Sequence, residues 1–170
     1  MALEWLAHLL AQFQEWSTDA VGTWGYPALF LVSLIGNASY ILPLPSILIV
    51  FIAGSTLNPW LVGILAGLGS AIGELTGYAI GRGAHRVVEK RGPWFNRAEK
   101  WIERRGVFVV LVVFAATPLP DDIAGTVAGL LNYSWKKFLI ASFIGKTAMC
   151  TAVAWAGYYG AGWLLAYFGA

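Results

Sequence analysis

Charge is scarce in this sequence: only 12% of its 170 residues are Asp, Glu, Lys or Arg, about half the share of an ordinary globular domain. The first 81 residues contain no Lys or Arg. A cleaved signal peptide begins with a basic stretch, so the N-terminus is expected to belong to the mature protein. A single cysteine, Cys150, leaves no partner for an intrachain disulfide. The only two histidines, His8 and His85, stand far apart, and no metal-ligand spacing is present, so neither a metal nor a cofactor is expected. Gly81-Arg82-Gly83 is no phosphate loop, because no strand precedes it and the pattern stops short. The chain is therefore not expected to be an enzyme. The remaining enzymatic alternative is a membrane hydrolase built on Asp121 and Asp122 sharing a proton.

Apolar surface is what the chain has in quantity. Hydrophobic residues make up 58% of it, its mean hydropathy is +0.67, and nine tryptophans are available for lipid–water boundaries. This composition predicts an all-α integral membrane protein, one membrane domain over residues 1–170.

In residues 1–21, Leu3, Leu6, Leu10, Phe13, Trp16 and Ala20 recur at helical spacing among polar residues. That pattern predicts an amphipathic helix, either lying in the interface or packed on the bundle. The apolar stretch 26–54 is interrupted by Pro43-Leu44-Pro45, which bars a continuous helix. Its second arm, Ser46 to Ala53, is only about 12 Å long at 1.5 Å per residue, against a hydrocarbon core of roughly 30 Å. A re-entrant hairpin fits this length better than two spans. Such backbone survives at membrane depth where protein or a wet cavity covers it.

Residues 60–82 form a span-length helix holding one ionisable residue, Glu74, and a glycine ridge at Gly69, Gly73, Gly77 and Gly81. The polar stretch 83–106 follows. Eight of the eleven Lys and Arg lie between Arg82 and Arg105, which places this loop in the cytoplasm and against anionic headgroups. No nucleic-acid-binding fold surrounds the basic cluster, so nucleic acid is not an expected partner.

The second half then repeats the first. Pro118-Leu119-Pro120, Ala128-Gly129 and Trp135 stand 75 residues after Pro43-Leu44-Pro45, Ala53-Gly54 and Trp60. Residues 107–131 become a second re-entrant hairpin, and 138–159 a second span carrying Lys146 and a small-residue ridge of Ala148, Ala152, Ala156 and Gly160. With the basic loop inside, the first hairpin opens outward and the second to the cytoplasm. The halves form an inverted repeat, a plan common among transporters. Two spans and two hairpins enclose little volume, which admits a homodimer.

Glu74-x-x-Gly77-Tyr78-x-x-Gly81-Arg82, the two proline-broken hairpins, and Asp121-Asp122 ahead of Ala128-Gly129 resemble the DedA family, also called SNARE-associated Golgi or VTT-domain proteins. The resemblance covers about residues 22–160. It implies opposed re-entrant hairpins in a prokaryotic-type cell membrane and the flipping or scrambling of a lipid, polyprenyl phosphate or phospholipid, often driven by protons. Members typically place an acidic residue just after the first hairpin's proline and arginines at the second tip. This chain has Ser46-Ile47 and Thr117-Pro118-Leu119-Pro120-Asp121-Asp122 there, so it resembles a divergent branch with an acidic second tip.

An ionisable group at membrane depth costs about 2.5–3.5 kcal/mol to insert, so it usually faces a partner or a cavity. Glu74 is the sharpest candidate to gain and lose a proton; its alternative is a static ion pair with Lys146. Asp121 and Asp122 can cap the helix after Pro120 or relay protons. Lys146 can bind a lipid phosphate, helped by the helix N-termini that follow the two proline turns. Besides lipid transport, the same residues allow export of a small cation or a non-transporting membrane scaffold.

Overall fold

A computed structural model describes residues 12, 15–16, 19–39, 46–87, 105–117 and 121–168. Every regular element among them is an α-helix. In chain order these are α1 (Tyr26–Ala38), α2 (Ser46–Thr56), α3 (Pro59–Gly73), α4 (Leu75–Val87), α5 (Arg105–Ala115), α6 (Asp121–Leu130) and α7 (Trp135–Phe168). Most of the expected amphipathic helix, both proline turns and most of the basic loop lie outside the described residues.

Helical backbone at 19–24 stops at Gly25, whose φ of 60° is a conformation that side chains resist. Pro27 then fits the first turn of α1, where no intrahelical donor is needed. α1 and α2 have 13 and 11 residues, about 20 and 16 Å at 1.5 Å per residue, so neither crosses a bilayer core alone. Asn58 starts α3: its side-chain oxygen accepts from the backbone N–H groups of Trp60 at 3.0 Å and Leu61 at 3.4 Å. Such a cap stabilises a helix by about 1 kcal/mol.

α3 and α4 are separated only by a turn at Glu74, whose φ of −62° and ψ of −17° remain helical. Pro59–His85 is therefore one stretch of 27 residues, long and apolar enough to cross a membrane. It runs past the expected end at 82 because Gly83 is a helical residue here and His85 is buried against the end of α6. Trp135–Gly160 is the second such stretch. It begins three residues before the expected start at 138, with Lys136 and Lys137 exposed in its first turn.

The first hydrophobic cluster joins α1, α2, α3 and α7 around Leu29, Ile49, Val62 and Ala154; the second joins α4, α5, α6 and α7 around Tyr78, Leu111, Ala128 and Phe138. Glycines let the backbones touch. A Cβ on Gly69 or Gly73 would strike the backbone of α1 at Phe30 or Leu34, and one on Gly63 or Gly67 would strike Thr151 or Thr147 of α7. Related contacts recur about 75 positions apart. Gly54 lies against Ala154 as Gly129 lies against Tyr78, and Asn37 meets Ser70 as Val112 meets Gly145.

The shorter helices have a definite sense relative to the Pro59–His85 stretch. Gly69 lies beside Phe30 and Gly73 beside Leu34, so α1 and α3 run in the same direction. The Tyr26 hydroxyl, at the start of α1, accepts from the Asn58 N–H at 3.1 Å, so the entry of α1 and the exit of α2 lie together at the start of α3. On the other half, Gly125 lies beside Glu74 and Gly129 beside Tyr78, so α6 runs with α4.

The first glycine ridge is used as expected: Gly69 and Gly73 face α1, while Gly77 and Gly81 face α6. The second ridge is not. Ala148, Ala152 and Ala156 are exposed and Gly160 is half-buried, whereas the small residues Ala141, Gly145, Ala154 and Gly157 are among the buried positions of α7. α7 is contacted on several sides, by α2, α3 and α5, so its packed surface is not a single stripe.

The candidate site, a buried ion pair between the halves

Glu74 and Lys146 meet. The Lys146 Nζ lies 2.8 Å from a Glu74 carboxylate oxygen, with the side chains 7% and 3% exposed. Glu74 is placed at the junction of α3 and α4, and Lys146 near the middle of the second span. At this depth each ion alone is costly, and the short contact offsets much of the desolvation.

Two residues that sequence reasoning missed complete the cluster. Asn37, in the last turn of α1, accepts from Lys146 Nζ at 3.3 Å. Its amide nitrogen donates to the Ser70 hydroxyl and to the Ser33 carbonyl, both at 2.9 Å. The signal was present as polar residues four apart in apolar runs, Ser33 with Asn37 and Ser70 with Glu74, which share a helix face. The hydroxyl oxygens of Ser33 and of the half-buried Thr147 are themselves buried and make no hydrogen bond among the described residues. Such groups are few in native interiors.

A cavity of about 30 Å³ adjoins the pair, lined by Asn37, Ser46, Ile47, Ser70, Lys146 and Cys150 among others. It is polar and large enough for a water molecule. Ser46 and Ile47 are the first residues of α2, directly after the proline turn. The first turn of α2 thus lies beside the ion pair.

The other expected residues fall into distinct roles. Asp121 and Asp122 open α6, but their side chains lie outside the described part of the structure, as do Pro43, Pro45, Pro118 and Pro120. Gly125 adjoins the Glu74 carbonyl, which puts the backbone of Asp121 about one helical turn, ~6 Å, from that level. Gly77, Tyr78, Gly81 and Arg82 form the seat of α6. The Gly77 carbonyl accepts from the Thr126 hydroxyl at 3.4 Å, Gly81 lies against the Thr126 backbone, and the Arg82 backbone adjoins Gly129. The Tyr78 hydroxyl donates to the Tyr133 carbonyl at 2.6 Å while its ring stacks on Phe138.

The far end of α6 is fixed by two further devices. Asn132 adopts φ 61° and donates to Gly129, and Tyr133 donates to Ala128. This is the Schellman ending, with Asn in the place usually taken by Gly. His85 Nδ1 lies 2.7 Å from the Leu130 carbonyl. A carbonyl only accepts, so Nδ1 carries the proton.

Comparison with known proteins agrees with this architecture. Residues 44–159 match the family model described as the VTT domain. The inner membrane protein YqaA of Escherichia coli K12 is 28% identical over 117 residues, covering 69% of this chain and 80% of the relative; YqaA of Shigella flexneri matches equally. An uncharacterized protein of Haemophilus influenzae is 31% identical over 93 residues, covering 51% of this chain and 48% of the relative. No solved structure matches. Since the matched region, residues 44–159, covers well over half of the chain and takes in α2 to α6 and most of α7, the chain belongs to the VTT-domain family of membrane proteins, the DedA family.

Proposed function

We propose that this protein is a transporter that flips or scrambles a lipid, with the Glu74–Lys146 pair as its central switch. α1–α2 and α5–α6 are re-entrant hairpins of an inverted repeat, entering from opposite faces of a prokaryotic cell membrane and meeting near the pair. The basic loop 83–106 lies in the cytoplasm. The observation that carries this reading is the ion pair itself: two opposite charges buried at 2.8 Å, held by Asn37 of the first hairpin and opening onto a polar cavity. Intramembrane charges in such positions mark substrate and proton paths.

In this scheme a proton reaching Glu74 releases Lys146, which becomes free to attract the phosphate of an anionic lipid. Asp121 and Asp122, at the start of α6, relay that proton. The partners are membrane lipid and protons, with a homodimer as the assembly. A non-transporting scaffold is the competing reading, favoured by the near-complete burial of the pair.

The test is lipid translocation in proteoliposomes with fluorescent phospholipid or polyprenyl phosphate, with and without a pH gradient. Wild type should move lipid faster than empty vesicles, and Glu74→Gln should remove the effect of the gradient. Wild-type rates equal to those of empty vesicles, for both lipids, would leave the scaffold as the function.

A further inference from the structure

At the end of the Pro59–His85 span opposite the basic stretch, a second cavity of about 360 Å³ opens where α2 ends, α3 begins and α7 passes. Its aromatic walls are Trp60, Trp155 and Tyr158. Trp60 stands at 80° to Trp155 with ring centroids 5.8 Å apart, and Tyr158 at 77° with centroids 5.4 Å apart. Tyr159 stacks on Trp155 at 5.3 Å and braces it. Aromatic residues at a membrane boundary are ordinary. Two rings set nearly perpendicular to a third around an open cleft are a more specific arrangement.

The polar part of the lining favours a cation. Ser55 donates its hydroxyl to the Ile52 carbonyl at 2.7 Å and Thr56 to the Ala53 carbonyl at 3.4 Å, so each oxygen keeps acceptor lone pairs. Both residues sit in the last turn of α2, which contains no basic residue to neutralise the negative end of the helix. No residue of the lining is charged. A small, strongly hydrated metal ion would find no carboxylate there to offset its lost water. A bulky organic ammonium sheds water easily and is attracted by ring faces.

We propose that Trp60, Trp155 and Tyr158 form a binding site for an organic ammonium group, free or carried on a lipid headgroup. The site is separate from the Glu74–Lys146 pair and does not depend on the transport reading.

The experiment is equilibrium dialysis of radiolabelled choline against the full chain in nanodiscs of phosphatidylglycerol, a lipid without nitrogen, at fixed ionic strength. Saturable binding is expected, with 3,3-dimethylbutanol, the uncharged isostere, failing to compete. Trp155→Leu and the exposed-surface variant Tyr158→Leu should each weaken binding by about tenfold. Repeating the titration in phosphatidylcholine or phosphatidylethanolamine nanodiscs separates the sources: displaced choline identifies a lipid headgroup as the occupant, and undisplaced choline a free ammonium. Absence of saturable binding in phosphatidylglycerol, equal competition by the neutral isostere, or unchanged binding in a folded Tyr158→Leu protein would overturn the proposal.

Discussion

Replacing Lys146 with methionine while keeping Glu74 leaves a carboxylate that is 3% exposed without its counter-ion. Breaking a buried pair in this way costs about 3–5 kcal/mol, whereas replacing both partners with apolar groups of similar volume is often neutral. Glu74→Leu is the reciprocal case, leaving Lys146 with the weaker contact to Asn37 at 3.3 Å. Glu74→Gln keeps an acceptor near Nζ and belongs at the lower end of the range. The prediction is therefore a cycle: Lys146→Met and Glu74→Leu each lose about 3–5 kcal/mol, and the double variant loses less than either single one. Reversible unfolding in mixed micelles of rising SDS content, followed by tryptophan fluorescence and circular dichroism, measures all four proteins. Additive losses, or single losses below about 1 kcal/mol, would refute the idea that the two charges depend on one another in the folded protein.

Other expectations concern the frame around the pair. Gly129→Ala puts a methyl group into the Tyr78 carbonyl and should cost about 1–3 kcal/mol, while Gly83→Ala meets nothing within 4 Å on an exposed helix face and should gain up to about 1 kcal/mol; the same unfolding assay reads both. Asn132→Gly should be neutral or stabilising, and Asn132→Val should lose about 1–2 kcal/mol, because φ is 61° there. Burial pushes the Tyr133 phenol above its usual value of 10.0. Its neutral form is favoured in the fold, so this stabilisation is complete below the unfolded pKa and is lost as pH rises through the higher folded one. Tyr133→Phe should flatten the alkaline fall in stability, and ultraviolet difference titration should show the loss of one late-ionising phenol.

Much of this organisation is legible in the sequence because the bilayer punishes errors severely. A proline pair stops a helix, a run of about 20 apolar residues crosses, and charge is tolerated only where it is matched. Glu74 and Lys146 stand out for that reason, each being a solitary charge in an apolar helix. Asn37 did not stand out. Its partner Lys146 is 109 positions away, and a neutral amide in an apolar run has too many structural uses to be singled out alone. The ridge on α7 was misplaced because small residues are distributed around much of that helix, and only contacts with α2, α3 and α5 decide which of them are buried. The left-handed Asn132 was hidden as well, since Gly is the residue that usually announces such an ending.

The central claim, that the hairpins are inverted with respect to each other, is tested most directly by which side of the membrane reaches the start of each span. Thr56, before the first span, and Ser134, before the second, are both exposed. In a Cys150→Ala background, Thr56→Cys and Ser134→Cys should be labelled by a membrane-impermeant maleimide from opposite faces, Thr56→Cys in intact cells and Ser134→Cys only in inverted vesicles. Labelling of both positions from the same face would contradict the account.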